Sequence, residues 1–193
     1  MSHKSISLLG ILAVLLFLIA LLIFGLLHPD FDFLTDYISK LGYKGTPRSF
    51  WWNLLGFGLT GMLLSVFGFC HGRIIKDTLS GILLALFGVG FALTAFPFDM
   101  SDEFTAVSRA HIAAITLGLA SWLFGLARLG YNKQLAPQIR KRANIAAAFL
   151  AVFMGGSLLN FWPEPIAERL VFAAVFGWTI ISAFQLTKTE EIK

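Results

Sequence analysis

Six stretches of the chain pass 18 or more residues without an Asp, Glu, Lys or Arg: Ser5 to Pro29, Ser49 to Gly72, Thr78 to Phe98, Ala110 to Ala127, Ala143 to Pro163 and Leu170 to Thr187. About 20 apolar residues cross the hydrocarbon of a bilayer as an α-helix. No water reaches backbone N–H and C=O groups in lipid, so each stretch must satisfy them internally, as a helix. The two shortest, the fourth and the sixth, reach full length by recruiting flanking residues. Composition points the same way: 57% of residues are hydrophobic, 13% are charged and the mean hydropathy is +0.78. A soluble domain carries about 25% charge, and a water-soluble core of 193 residues could not enclose this much apolar surface. The fold class is therefore all-α: a polytopic membrane protein, a bundle of six transmembrane helices. The spans fall at about residues 6–27, 50–71, 79–98, 107–128, 143–162 and 169–187 of a single domain, 1–193.

Charge sets an expected orientation. The N-terminus, the loops after the second and fourth helices and the C-terminal tail hold ten basic residues: Lys4, Arg73, Lys76, Arg128, Lys133, Arg140, Lys141, Arg142, Lys188 and Lys193. The other three loops hold five, Lys40, Lys44, Arg48, Arg109 and Arg169. The positive-inside rule then puts both termini in the cytoplasm of a multi-pass cell-membrane protein. Acidic residues show the reverse bias. Asp30, Asp32, Asp36, Asp99, Asp102, Glu103, Glu164 and Glu168 fall on the outer side, and Asp77, Glu190 and Glu191 on the inner. The first run is too long for a cleaved signal, and no small-x-small site follows it, so it is read as a retained helix. The excess positive charge points to anionic lipid at the cytoplasmic face rather than to nucleic acid, because no basic stripe with interleaved aromatics occurs in a soluble segment. Membrane lipids are the expected partners, and homo-oligomerisation is left open. Cys70 is the lone cysteine and reads as a small buried hydrophobe.

The first outer loop, HPDFDFLTDYISKLGYKG, repeats apolar Phe33, Leu34, Tyr37, Ile38 and Leu41 at helical spacing. This predicts a short extracytoplasmic helix on the membrane surface, capped by Asp30, ended by Gly42 and carrying an Asp36–Lys40 pair. In GTPRSFWWN, Thr46 before Pro47 predicts the start of the second helix. Trp51 and Trp52 are then expected at headgroup level, with Trp162 at the same height. Glycines within the helices, among them Gly61, Gly68, Gly72, Gly81, Gly88 and Gly155, read as close packing points.

Polar residues gather near the outer leaflet. Asp99 ends the third helix, His111 lies one turn inside the fourth, Asn53 one turn inside the second and Asn160 at the end of the fifth. His28 ends the first helix, and Ser39 sits on the polar side of the surface helix. Polar groups in hydrocarbon turn to the bundle interior or to a cavity, which predicts one shared outward-opening site. Ser39, Asp99 and His111 are the candidate catalytic residues, as nucleophile, orienter and base. Asn53, Asn160 and His28 are candidate binding residues. Each also has a plainer role: Asp99 as a turn cap or a partner of Arg109, His111 and the two asparagines as helix–helix hydrogen bonds, Ser39 as a solvated residue. The sequence requires no cofactor. The metal alternative is zinc on His111 and Asp99 with His28, and a haem would need His28 and His111 face to face.

Ser39-Lys40-Leu41-Gly42, then Pro47 and Asn53, resembles the S-x-L-G…P…N segment of a membrane family called domain of unknown function 998. Phe96-Pro97-Phe98-Asp99, then His111, resembles its F-P-x-D…H segment. The first segment is also distantly like the Frag1/DRAM group, some of whose members are linked to lipid remodelling. The resemblance implies six helices, a longer outer loop after the first, and a shared role for Ser39, Asn53, Asp99 and His111. It implies no chemistry. Three functional readings follow: a lipid- or ligand-binding protein of the outer leaflet, a membrane-embedded hydrolase or lipid-modifying enzyme using His111, Asp99 and Ser39, and a small transporter.

Overall fold

The computed structural model describes residues 2–99, 102 and 104–190, with no side-chain description for 188–190. Glu103, Glu191 and Lys193, which entered the charge count, lie outside the described residues. The described residues are helical, with no strand. Six long helices appear: α1 His3–Leu27, α2 Ser49–Ile74, α3 Thr78–Leu93, α4 Ala106–Tyr131, α5 Pro137–Leu158 and α6 Glu164–Glu190. By length and composition, α1, α2, α4 and the Glu164–Thr187 part of α6 can each cross a membrane, and α3 is a shorter apolar helix. The chain is a polytopic helical membrane protein.

Each helix packs on its neighbours in sequence, and α1 meets α6, so the six form a closed up-and-down ring. Phe17 on α1 fills the centre, with ring centroids 5.9 Å from Trp52, 5.7 Å from Phe91, 5.7 Å from Phe172 and 4.7 Å from Phe176. Farther along, Trp122 and Trp178 meet edge to face at 6.1 Å. Tilted and edge-on ring pairs are favoured electrostatically. In lipid, contacts of this kind hold helices together, because exclusion of water supplies no drive between them. The outward sides of α1 show the complement: Leu12, Leu15, Leu18, Ile19 and Leu22 are exposed.

Helix boundaries depart from the apolar runs wherever a charged or proline-containing turn is helical. α5 begins at Pro137, six residues before the run, with proline in the first turn, where its missing N–H costs nothing. α6 begins at Glu164 rather than at 169. α3 stops at Leu93, and the hydroxyl of Thr94 donates to the Phe91 carbonyl at 2.6 Å. α4 starts behind Thr105, whose side chain accepts the Ser108 N–H at 3.1 Å.

We call the end of the ring away from the chain termini the distal end. There the link between α1 and α2 differs from the expected α-helix. The Asp32 carboxylate accepts the N–H groups of Leu34 and Thr35 at 2.7 and 2.9 Å, closing a turn that competes with helix. A 3-10 helix, Ile38–Gly42, follows, and Ile38 and Leu41 are buried in the bundle rather than resting on its surface. Asp30 caps nothing; its own N–H goes to His28 Nδ1. The Asp36–Lys40 pair is present at 2.7 Å. Thr46 does not cap α2, because Arg48 intervenes with φ 64° and Ser49 is the first helical residue.

The early part of α2, Asn53–Leu59, is wound as a π-helix, and the Thr60 hydroxyl donates to the Leu55 carbonyl at 2.9 Å. Trp51 remains outside at 55% exposure, whereas Trp52 is fully buried against Phe17, Phe24 and Phe57. The interfacial position expected for Trp52 is therefore corrected. Trp162 is half-buried, and its Nε1–H donates to the Phe153 carbonyl at 3.0 Å. At the opposite end, buried Asp77 caps α3 and accepts from Arg128 Nε at 2.8 Å and Asn132 Nδ2 at 2.7 Å. Burial alone would raise its carboxyl pKa, but these bonds and the Ser80 N–H win, and it is held below the usual range.

Candidate functional site

A cleft of about 530 Å³ opens at the distal end between α4 and α6, under the 37–43 segment. One wall comes from α4, with His111, Ile112 and Ile115, and the other from the start of α6, with Glu164, Glu168 and Phe172. Phe57 from the π-helical turn, with Thr94 and Phe98, closes the inner side. Tyr37, Ser39 and Tyr43 form the roof. Its size suits a small-molecule site, and its mixture of apolar walls with a few polar groups is typical of one.

The roof is fixed to α6 at three consecutive residues. Arg169 Nη2 donates to the Asp36 carbonyl at 2.7 Å, the Tyr37 hydroxyl donates to Glu164, and the Ile38 N–H donates to Glu168 Oε2 at 2.8 Å. Burial, then the bond to Glu164, pushes the Tyr37 hydroxyl up to about 12. On the other side, the Lys44 N–H donates to the Phe98 carbonyl at 2.9 Å, and Tyr43 packs on Phe98 at 5.5 Å. From below, Asn53 Nδ2 donates to the Gly42 carbonyl at 2.9 Å. A Cβ on Gly42 would run into the Asn53 side chain, so this seat requires glycine.

The structure brings Ser39 and His111 to one cleft and gives the other candidates different places. His111 is 8% exposed, and its Nδ1 lies 2.8 Å from the Phe96 carbonyl oxygen. A carbonyl can only accept, so Nδ1 carries a proton. The rings of Phe57 and Phe98 stand 6.1 and 6.0 Å away. Ser39 is half-buried in the roof. The Asp99 carboxylate pairs with Lys44 Nζ at 3.0 Å, and its N–H donates to Ser108 Oγ at 3.0 Å. Ser39 and His111 line the cleft, and Asp99 pairs with Lys44 beside its roof. Asn53 is buried beneath the roof and is not part of the lining. His28 Nδ1 accepts the Asp30 N–H at 3.2 Å in the turn after α1. Asn160 is exposed in the turn after α5, with φ 59°.

No three His, Cys, Asp or Glu side chains converge as a metal site among the described residues. Sequence reasoning missed Tyr37, Thr94, Glu164, Glu168 and Phe172. A signal for three of them was present. Glu164, Glu168 and Phe172 recur at steps of four, on one side of a helix.

A family model described as "Protein of unknown function (DUF998)" matches residues 11–185. The chain belongs to the DUF998 family. No curated protein and no solved structure matches the chain, and the likeness to the Frag1/DRAM group finds no support. In this DUF998 protein the two segments that carry the family resemblance meet at the cleft. Asn53 holds Gly42, Lys44 holds both the carbonyl of Phe98 and the carboxylate of Asp99, and His111 holds Phe96. Asn53 and Asp99 thus contact the 42–44 end of the roof segment, whereas Ser39 and His111 line the cleft itself.

Proposed function

We propose that this DUF998 protein binds a membrane amphiphile in the cleft between α4 and α6, with the polar head under the 37–43 roof and the apolar part along Ile112, Ile115 and Phe172. One observation carries this reading: residues from five separate parts of the chain line one cleft in which polar groups (Ser39, His111, Glu164 and Glu168) lie beside apolar ones (Ile112, Ile115 and Phe172). The distribution of lysine and arginine supports an extracytoplasmic position for the distal end and cytoplasmic termini. The aromatic filling of the ring centre gives the transporter reading no support. Ser39 and His111 in one cleft keep a hydrolase as the second reading, with Glu168 rather than Asp99 as the neighbouring carboxylate.

The test is native mass spectrometry of the full chain released from nanodiscs. The wild type should carry co-purifying lipid, and Ile115→Trp, which fills the cleft, should lose most of it while keeping the same helical circular dichroism. Equal retention by both proteins would rule the cleft out as the binding site. For the hydrolase reading, Ser39→Ala should retain lipid and abolish turnover of a bound ester. Unchanged turnover would exclude Ser39 as nucleophile.

A further inference from the structure

The cleft lining includes two carboxylates, Glu164 and Glu168, and no lysine or arginine. Four cations of the distal end, Lys40, Lys44, Arg48 and Arg169, direct their hydrogen bonds elsewhere. Lys40 pairs with Asp36 at 2.7 Å and Lys44 with Asp99 at 3.0 Å. Arg48 donates to the Leu27 carbonyl at 3.3 Å. Arg169, next to Glu168 in sequence, directs Nη1 to the Pro165 carbonyl at 2.6 Å and Nη2 to that of Asp36 at 2.7 Å. Among the described residues neither Glu164 nor Glu168 has a salt-bridge partner. Both take hydrogen bonds from neutral donors, the Tyr37 hydroxyl and the Ile38 N–H. Removing a carboxylate from water is costly, and a cation brought by a ligand adds to the counter-charge that Arg169 supplies to Glu168 without an ion-pair contact.

The rest of the lining suits the same charge. Phe57, Phe98 and Phe172 contribute aromatic rings, whose faces attract cations. His111 also lines the cleft, with its Nδ1 2.8 Å from the Phe96 carbonyl oxygen. Anions find no positive group in the lining.

Resting on the reading of the cleft as an amphiphile site, we infer that its ligand carries an ammonium group, held by Glu168 and Glu164 against the aromatic side of the cleft. The source is either the head of an aminophospholipid or a soluble amine.

The experiment uses the full chain in nanodiscs of equal phosphatidylethanolamine and phosphatidylglycerol and reads the retained lipid that Ile115→Trp removes. In that fraction phosphatidylethanolamine should exceed phosphatidylglycerol about tenfold, the ratio that ~1.4 kcal/mol of cation recognition gives. Glu168→Gln keeps an acceptor for the Ile38 N–H, and it should bring the ratio close to one with helicity intact. Glu164→Gln is the second variant and should lower the ratio in the same direction. In a parallel arm, ethylammonium chloride is titrated into lipid-depleted protein. A rise in thermal midpoint for the wild type that is lost in Glu168→Gln, without a phospholipid preference, assigns the ammonium to a soluble amine. Retention without head preference, or in favour of phosphatidylglycerol, together with no response to ethylammonium, overturns the ammonium inference and leaves the cleft reading standing. Retention indifferent to Ile115→Trp overturns both.

Discussion

His111 Nδ1 lies 2.8 Å from the carbonyl oxygen of Phe96, and this bond ties the first turns of α4 to the segment leaving α3. Asp99, three residues beyond Phe96, takes Lys44 instead. The two residues should therefore behave as independent supports. His111→Ala leaves a part-buried carbonyl without its donor and removes ring contacts with Phe57 and Phe98, a cost of about 2–3 kcal/mol. His111→Asn, whose amide reaches a similar position, should recover part of it. Asp99→Asn breaks an ion pair whose lysine side chain is 71% exposed, so it should cost less than about 1 kcal/mol. Thermal unfolding of the single and double variants in detergent should give a coupling below about 0.5 kcal/mol. A coupling well above that would restore a direct His111–Asp99 interaction.

Tyr37 gives the roof an alkaline limit. Its hydroxyl pKa rises from 10.0 to about 12, chiefly through burial and then through the bond to Glu164. Folding favours the protonated form, so the contribution of Tyr37 to stability is intact below about pH 10 and is lost as pH rises toward about 12. Titration of tyrosinate absorbance should show a late component that disappears in Tyr37→Phe. The variant should also lose any slope of stability with pH that this hydroxyl provides in that window. A wild-type titration with no component later than that of an ordinary tyrosine would show that the roof is not fixed to Glu164 in solution.

Helix number and fold class were legible because an uncharged run long enough to cross lipid has one backbone solution; the order of the helices around the ring was not. The same criterion hid the cleft. It stopped the sixth span at 169, so Glu164 and Glu168 read as loop acids, although a helix can begin with a charged turn where its end reaches water. Depth alone put His111 and Ser39 in one outer layer, and both line the cleft. It could not choose a partner for Asp99, because Lys44 is 55 residues away and its position depends on how the roof segment docks. Trp51 and Trp52 show a second limit. Adjacent residues on a helix face different ways, and sequence alone did not say which one entered the ring. The surface helix failed for a local reason: the Asp32 side chain supplies its own turn, and burial of Ile38 and Leu41 pulls the chain inward.

The glycines separate packing from mere tolerance. At Gly88 an added methyl would press on the Ser65 backbone, with Ser65 Cα at 2.6 Å and the Gly61 carbonyl oxygen at 2.7 Å. Neither backbone atom can move without parting α2 from α3. Gly155 on α5 has nothing within 4 Å of the same methyl. Gly88→Ala should therefore destabilise the bundle by about 2–3 kcal/mol, the upper range for overpacking. Gly155→Ala should be neutral or stabilising by up to about 1 kcal/mol, because alanine is the better helix former and open space imposes no strain. Both are read as shifts in the thermal midpoint of tryptophan fluorescence in a mild detergent. A Gly88→Ala variant as stable as the wild type would mean that α2 and α3 do not approach as closely as their glycines allow.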